Sequence, residues 1–148
     1  MKILLRNKRE AEQLEIKGST HGFISVTDPG VDDVKLHFNT DTLLIRNLKF
    51  DDILSIDTWQ QPLREPVLFD KQMANHIFDD YKYFQDIMEI LVIHCHAGIS
   101  RSAAIATFLA KLEGIDSTPY CTWPKSPNAL VSSVLRHAWY ERTGVLVP

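Results

Sequence analysis

A cysteine, a glycine and an arginine stand at short fixed spacing in the run His94-Cys95-His96-Ala97-Gly98-Ile99-Ser100-Arg101-Ser102. The apolar stretch Ile90-Leu91-Val92-Ile93 before it has the length and β-branched content of a buried strand. Ala103-Ala104-Ile105-Ala106-Thr107-Phe108-Leu109-Ala110 after it reads as a buried helix. The run is therefore a strand-to-helix turn. Such turns direct several backbone N–H groups and the positive end of a helix dipole into one small volume, which suits an anion. A cysteine at the start of that volume is favoured as its thiolate, and cysteines so placed titrate at roughly 3.5 to 7.5 rather than ~8.5. Arg101, in the first turn of the helix, has the planar fork that closes on two oxygens of a phosphoryl group. Gly98 supplies the backbone freedom of a tight loop, and Ser102 can hydrogen-bond the sulfur and stabilise it as a leaving group. At this spacing these residue types support attack of sulfur on phosphorus.

His-Cys-x-x-Gly-x-x-Arg-Ser resembles the signature of the cysteine-dependent protein tyrosine phosphatases, and the short chain looks like their compact dual-specificity-like, bacterial-type branch. With residue types each used at a few per cent, a chance match to all the set positions is on the order of one in a million per start. The resemblance is sharp over Leu91 to Leu109 and looser over His21 to Gly144. It implies in-line attack by Cys95 to give a cysteinyl-phosphate that water then hydrolyses. The loop amides of His96, Ala97, Gly98, Ile99 and Ser100, together with Arg101, would hold the three equatorial oxygens. His94 would orient the loop through its ring hydrogen bonds and bias the thiolate. The loop carries no lysine, and the chemistry requires no metal and no other cofactor.

The resemblance also implies an aspartate, on a loop after a neighbouring strand, that protonates the leaving oxygen. The candidates are Asp51, Asp52, Asp57 and Asp70. Asp52 is the first choice: it follows a strand ending at Phe50, which places it at the same sheet edge as Cys95. Asp57 lies inside a mobile-looking loop, and Asp70 reads as an N-terminal helix residue. No Trp-Pro-Asp tripeptide is present, so the acid loop of the larger enzymes does not carry over. The pair Asp51-Asp52 also fits a solvated strand end, or Asp52 an N-cap. His94-Cys95-His96 lacks the second Cys/His cluster a metal centre needs. His96 is read as shaping the rim of the pocket. Cys121 is read as a packed or inert thiol in preference to a redox partner of Cys95. Trp123 is read as packing, and Asn128 as a helix cap or a residue lining the cleft.

The chain has 148 residues, 45% hydrophobic and 24% charged, as expected of one soluble globular domain spanning residues 1–148. A net charge of -3 leaves no electrostatic footprint for nucleic acid or an acidic membrane surface. Two cysteines make no disulfide framework, and no apolar run approaches the ~20 residues of a membrane span. Met1 to Leu5 reads as a first strand and is too short for the core of a signal peptide. A free thiol suits a reducing cytoplasm.

The elements that must position this chemistry follow in order. Lys2 to Leu5 is a strand, and Asn7 is placed to cap a short helix. Gly22 to Val26 is a second strand closed by the turn Asp28-Pro29-Gly30, and Val34 to Phe38 alternates as a half-exposed strand or edge. Leu43 to Phe50 is another strand and Ile53 to Pro66 a surface loop. Phe69 to Met88 repeats apolar residues at helical spacing. Gly114 ends the helix after the signature, Ile115 to Pro127 is irregular, and a last helix runs from near Asn128 to about Thr143. The pattern predicts an α/β domain with a mostly parallel sheet of about four to five strands flanked by helices, and ligands in such sheets bind at the carboxyl ends of the strands.

Three functional readings stand at this point. The first is a phosphatase of phosphotyrosine, extending to phosphoserine and phosphothreonine, whose partners are phosphorylated proteins or peptides and whose loop takes phosphate, sulfate or vanadate. The second is a phosphate-binding module with weak or no turnover. The third is a phosphatase of a non-protein ester, against which the neutral Ala97, Ile99 and Ser100 count because they offer no cation to a further phosphate.

Overall fold

β1 (Lys2–Asn7), β2 (His21–Thr27), β3 (Thr42–Lys49) and β4 (Ile90–Cys95) form one sheet in the computed structural model, which describes residues Met1–Pro148. The strand order is β1-β4-β2-β3 and every pairing is parallel. The register sets Asn7 beside Cys95, Ser25 beside His94, and Thr27 beside Lys49. The strand ends therefore gather at one edge, where the chain segments after Asn7, Thr27, Lys49 and Cys95 emerge together.

Alternation along the strands divides their side chains between two layers. Ile3, Leu5, Ile24, Val26, Leu91 and Ile93 face a core closed by α2 (Lys71–Phe84), α3 (Arg101–Glu113) and α5 (Ala129–Thr143). Rings from those three helices meet in it: Phe78 lies 5.0 Å from Trp139 and 5.7 Å from Phe108, centroid to centroid. On the other face, Leu4, Phe23, Val92 and Ile90 are covered by Leu14, Ile16 and Leu36 from the segments around β2. The short helix α1 (Lys8–Gln13) buries Ala11 on that side. No helix is long and apolar enough to cross a membrane.

The helix ends follow their capping residues. Asn7 caps α1 in a reciprocal box with Glu10, and Asp70 caps α2 by accepting from the Met73 amide. Asn128 caps α5 through the Val131 amide, and Gly144 closes it at φ 71°. The helix expected over Phe69 to Met88 is shorter. Its repeat continues past Phe84 because Met88 is buried at Gly22 on β2, so the apolar period outlasts the helix. The expected strand over Val34 to Phe38 is absent: β3 already occupies the free edge of β2, and Val34 and Leu36 pack inward from an irregular segment. Within Ile115 to Pro127 lies a four-residue helix, α4 (Thr118–Cys121), tied to β1 by the Tyr120 hydroxyl donating to the Ile3 carbonyl.

Candidate active site

The run from His96 to Ser100 leaves β4 and enters α3 with its carbonyls turned outward. The His96 carbonyl accepts from the Lys8 amide at 3.1 Å, that of Ile99 from the Ser126 amide at 2.9 Å, and that of Ser100 from the amides of Asn128 and Ala104, each at 3.1 Å. The Gly98 carbonyl accepts from Lys125 Nζ at 3.3 Å. A trans peptide is planar, with its N–H opposite its C=O. Fixing these oxygens outward therefore turns the amides of Ala97, Ile99, Ser100 and Arg101 inward. Gly98, at φ 68°, lies against the end of β1, and a Cβ there would come 2.7 Å from the Arg6 carbonyl oxygen. Only glycine fits that approach.

Cys95 lies at the centre of the bend and is 2% exposed. Its Sγ is 3.0 Å from Ser102 Oγ and accepts from the Gly98 amide at 3.3 Å. Burial is the largest influence on this thiol and pushes it up. The Ser102 hydroxyl and amide, the Gly98 amide and the Arg101 charge together outweigh burial, so the thiol is held below its ordinary value.

Arg101 is buried, and Nη1 takes both of its protein partners: Asp28 Oδ1 and the Phe50 carbonyl, each at 2.8 Å. Nε is buried without a partner. The fork is thus pinned at one nitrogen, with the other two free of protein partners. Asp28 and Phe50 follow β2 and β3, so the sheet edge itself orients the guanidinium. Asp28 was visible in the sequence only as the start of a turn; its position at the end of a strand adjacent to β4 was the available signal.

His94 is fully buried, and its Nε2 shares a 2.6 Å hydrogen bond with Ser25 Oγ on β2. Burial lowers its pKa, so the ring is neutral at pH 7 and ties strands together without lending a positive charge to the thiolate. His96 and Ala97 are exposed at the rim.

The aspartate candidates separate by environment. Asp52 Oδ1 accepts from Ser100 Oγ at 2.7 Å and from Asn128 Nδ2 at 2.9 Å, which holds this carboxylate on the bend and leaves Oδ2 unpartnered. Asn128 also donates to the Ile53 carbonyl, so one buried side chain both caps α5 and places Asp52. Asp57 lies exposed in a single 3-10 turn, Ile56–Thr58, with no bond to the bend, and Asp70 is engaged as a helix cap.

Asp51 is buried under a bidentate contact with Arg64 at 2.8 and 3.0 Å and accepts from the Val67 amide at 2.8 Å. The Arg64 hydrogen bond, with the Val67 amide and the charges of Arg64 and Arg101, keeps the Asp51 carboxyl below the usual carboxylate range against the opposing effect of burial. A group held ionised in this way anchors the 51–67 loop and is a poor proton donor. A lowered folded-state pKa contributes stability above the unfolded value of ~3.9 that is lost as pH falls through the folded value. Asp51→Asn should therefore cost about 1–3 kcal/mol at pH 7 in denaturant unfolding and flatten the acid side of the stability profile.

Trp123 is 92% exposed, so the expectation that it packs is wrong. The turn closed by the Lys125 amide on the Thr122 carbonyl is occupied at its far end with the bend, and this leaves the indole in solvent. Cys121 is exposed and bonds only within its own helix turn; no contact joins it to Cys95.

No family model and no curated protein sequence matches the chain. Solved structures do. The human tyrosine phosphatase-like serine/threonine/tyrosine-interacting protein superposes with a TM-score of 0.58 at 20% identity, covering 95% of this chain and 91% of that one. The fold is that of the dual-specificity-like phosphatases. PTPMT1 in complex with PI(5)P is similar at a TM-score of 0.58 and 14% identity, covering 97% and 93% of the two chains. Human DUSP28 is similar at 0.56 and 16%, covering 96% and 94%. The coverage in both directions means that this fold spans nearly all of the chain.

Proposed function

We propose that the chain is a cysteine-dependent phosphatase that hydrolyses phosphotyrosine in protein or peptide substrates, with phosphoserine and phosphothreonine open to the same chemistry. The observation that carries this reading is the set of outward-bonded carbonyls, which leaves inward amides around an acidified thiol beside a half-free guanidinium. Phosphate, sulfate or vanadate would occupy the same cradle. A cytoplasmic setting keeps the thiol reduced.

In the proposed mechanism the Cys95 thiolate attacks phosphorus in line and the S–P bond forms as the ester P–O bond breaks. Asp52 gives its proton to the departing oxygen. Amide donors and Arg101 Nε and Nη2 hold the equatorial oxygens through the transition state. Water then attacks phosphorus, the P–S bond breaks, and the carboxylate of Asp52 takes the proton released. Ser102 donates to the returning thiolate. The neutral side chains of Ala97, Ile99 and Ser100 direct no cation at a second phosphate, which supports a protein ester as substrate.

Steady-state hydrolysis of p-nitrophenyl phosphate and of a phosphotyrosyl peptide tests the reading: vanadate binding without turnover of either would show a binding module. Asp52→Asn should lower kcat about 10²- to 10⁴-fold and remove the fall in rate at high pH that reports a protonated donor. A high-pH limb that survives the substitution would assign the donor elsewhere.

A further inference from the structure

We infer that Lys125, outside the signature and on the segment between α4 and α5, is a positioning residue that aims the Ile99 amide at the bound phosphoryl group. The inference rests on the phosphate-binding reading above. The bend's outward carbonyls at His96, Ile99 and Ser100 are all held by backbone amides, which no side-chain substitution removes. The Gly98 carbonyl is different: its holder is a side chain, Lys125 Nζ, at 3.3 Å.

Gly98 C=O and Ile99 N–H belong to one peptide plane, so an ammonium that fixes the oxygen outside fixes the N–H inside. Gly98 needs such a restraint most. It has no side chain of its own to limit rotation of this plane, and its φ of 68° lies where glycine moves freely. A charged donor on the oxygen also polarises the plane, and hydrogen bonds in sequence strengthen one another. The Ile99 amide thus becomes both better aimed and a better donor.

Neighbouring bonds keep Lys125 within reach. Its own amide closes the turn on the Thr122 carbonyl at 2.8 Å, and the next residue, Ser126, donates to Ile99 at 2.9 Å. The segment therefore stays docked on the bend when the Lys125 side chain is altered, and its removal tests the one carbonyl alone.

The test compares Lys125→Met, Lys125→Arg and the charge-matched control Lys17→Met, whose parent side chain is 82% exposed and far along the chain from the bend. Each is measured for kcat/KM on p-nitrophenyl phosphate, for vanadate Kd by calorimetry, and for Tm. Removing a whole transition-state donor costs about 10²- to 10³-fold, so a misaimed one should cost about tenfold to a hundredfold in the methionine variant. Vanadate, which copies the five-coordinate state, should weaken by a similar factor while Tm holds. Arginine should restore most of the loss, and Lys17→Met should behave as the parent. A change under twofold in Lys125→Met, a loss that follows Tm, or an arginine variant no better than methionine would overturn the inference. Were the parent chain to bind vanadate without hydrolysing esters, the catalytic proposal would fall while the vanadate series still decided the role of Lys125.

Discussion

Cys95→Ser will reduce hydrolysis of p-nitrophenyl phosphate by on the order of 10⁵- to 10⁶-fold, the scale on which removing a nucleophile acts, while vanadate binding stays measurable. The reason lies in how the labour is divided within the bend. In the proposed mechanism the inward amides and Arg101 hold the oxygens, and neither depends on sulfur for its position: the carbonyls are tied from outside, and the guanidinium is pinned by Asp28 and Phe50. In that mechanism sulfur supplies the bond to phosphorus. A serine hydroxyl in its place stays un-ionised at neutral pH, and the Nε2 of His94 is engaged with Ser25 and not free to take its proton. Binding by calorimetry and turnover by absorbance separate the two contributions, and retained turnover would take Cys95 out of the mechanism.

Arg101→Lys will lower kcat/KM by about 10³-fold, although the charge is kept. The native fork uses Nη1 for Asp28 and Phe50 and leaves Nε and Nη2 without a protein partner, and in the proposed mechanism these two meet the phosphoryl oxygens. An ammonium is a single point of charge. It can satisfy Asp28 or reach the phosphoryl oxygens, and cannot hold two parallel hydrogen bonds to them. Asp28→Asn is the informative companion: it keeps an acceptor oxygen for Nη1 and removes the charge, so its loss of rate should be far smaller than that of Arg101→Lys. Equal losses would mean that Asp28 contributes by charge and not by orientation.

The separation of Asp51 from Asp52 shows where linear reading stops. Adjacent residues with the same chemistry leave a strand end pointing in different directions. One enters the protein to meet Arg64 and Val67, the other reaches outward to Ser100 and Asn128. Nothing local to residues 51–52 distinguishes them, because the discriminating partners are remote in the chain. The same holds for Trp123, which reads from the sequence as packing. Its neighbours Lys125 and Ser126 are committed to the bend, which leaves the ring in solvent.

Strand-turn-helix character around Cys95 and the caps at Asn7, Gly114 and Asn128 were legible in the amino-acid order because each rests on interactions a few residues apart, and the parallel α/β architecture because strands alternate with helices along the chain. The contacts that complete the site were not: Asp28 on Arg101 and Ser25 on His94 join β2 and the turn after it to the signature, while Lys125 on Gly98 and Asn128 on Asp52 bring the segment between α4 and α5 against the bend and the loop after β3. Those pairings exist only once the order β1-β4-β2-β3 brings the carboxyl ends of the strands to one edge. Short-range periodicity and capping determine which elements form. Which side chains then meet is decided by the packing of the whole sheet.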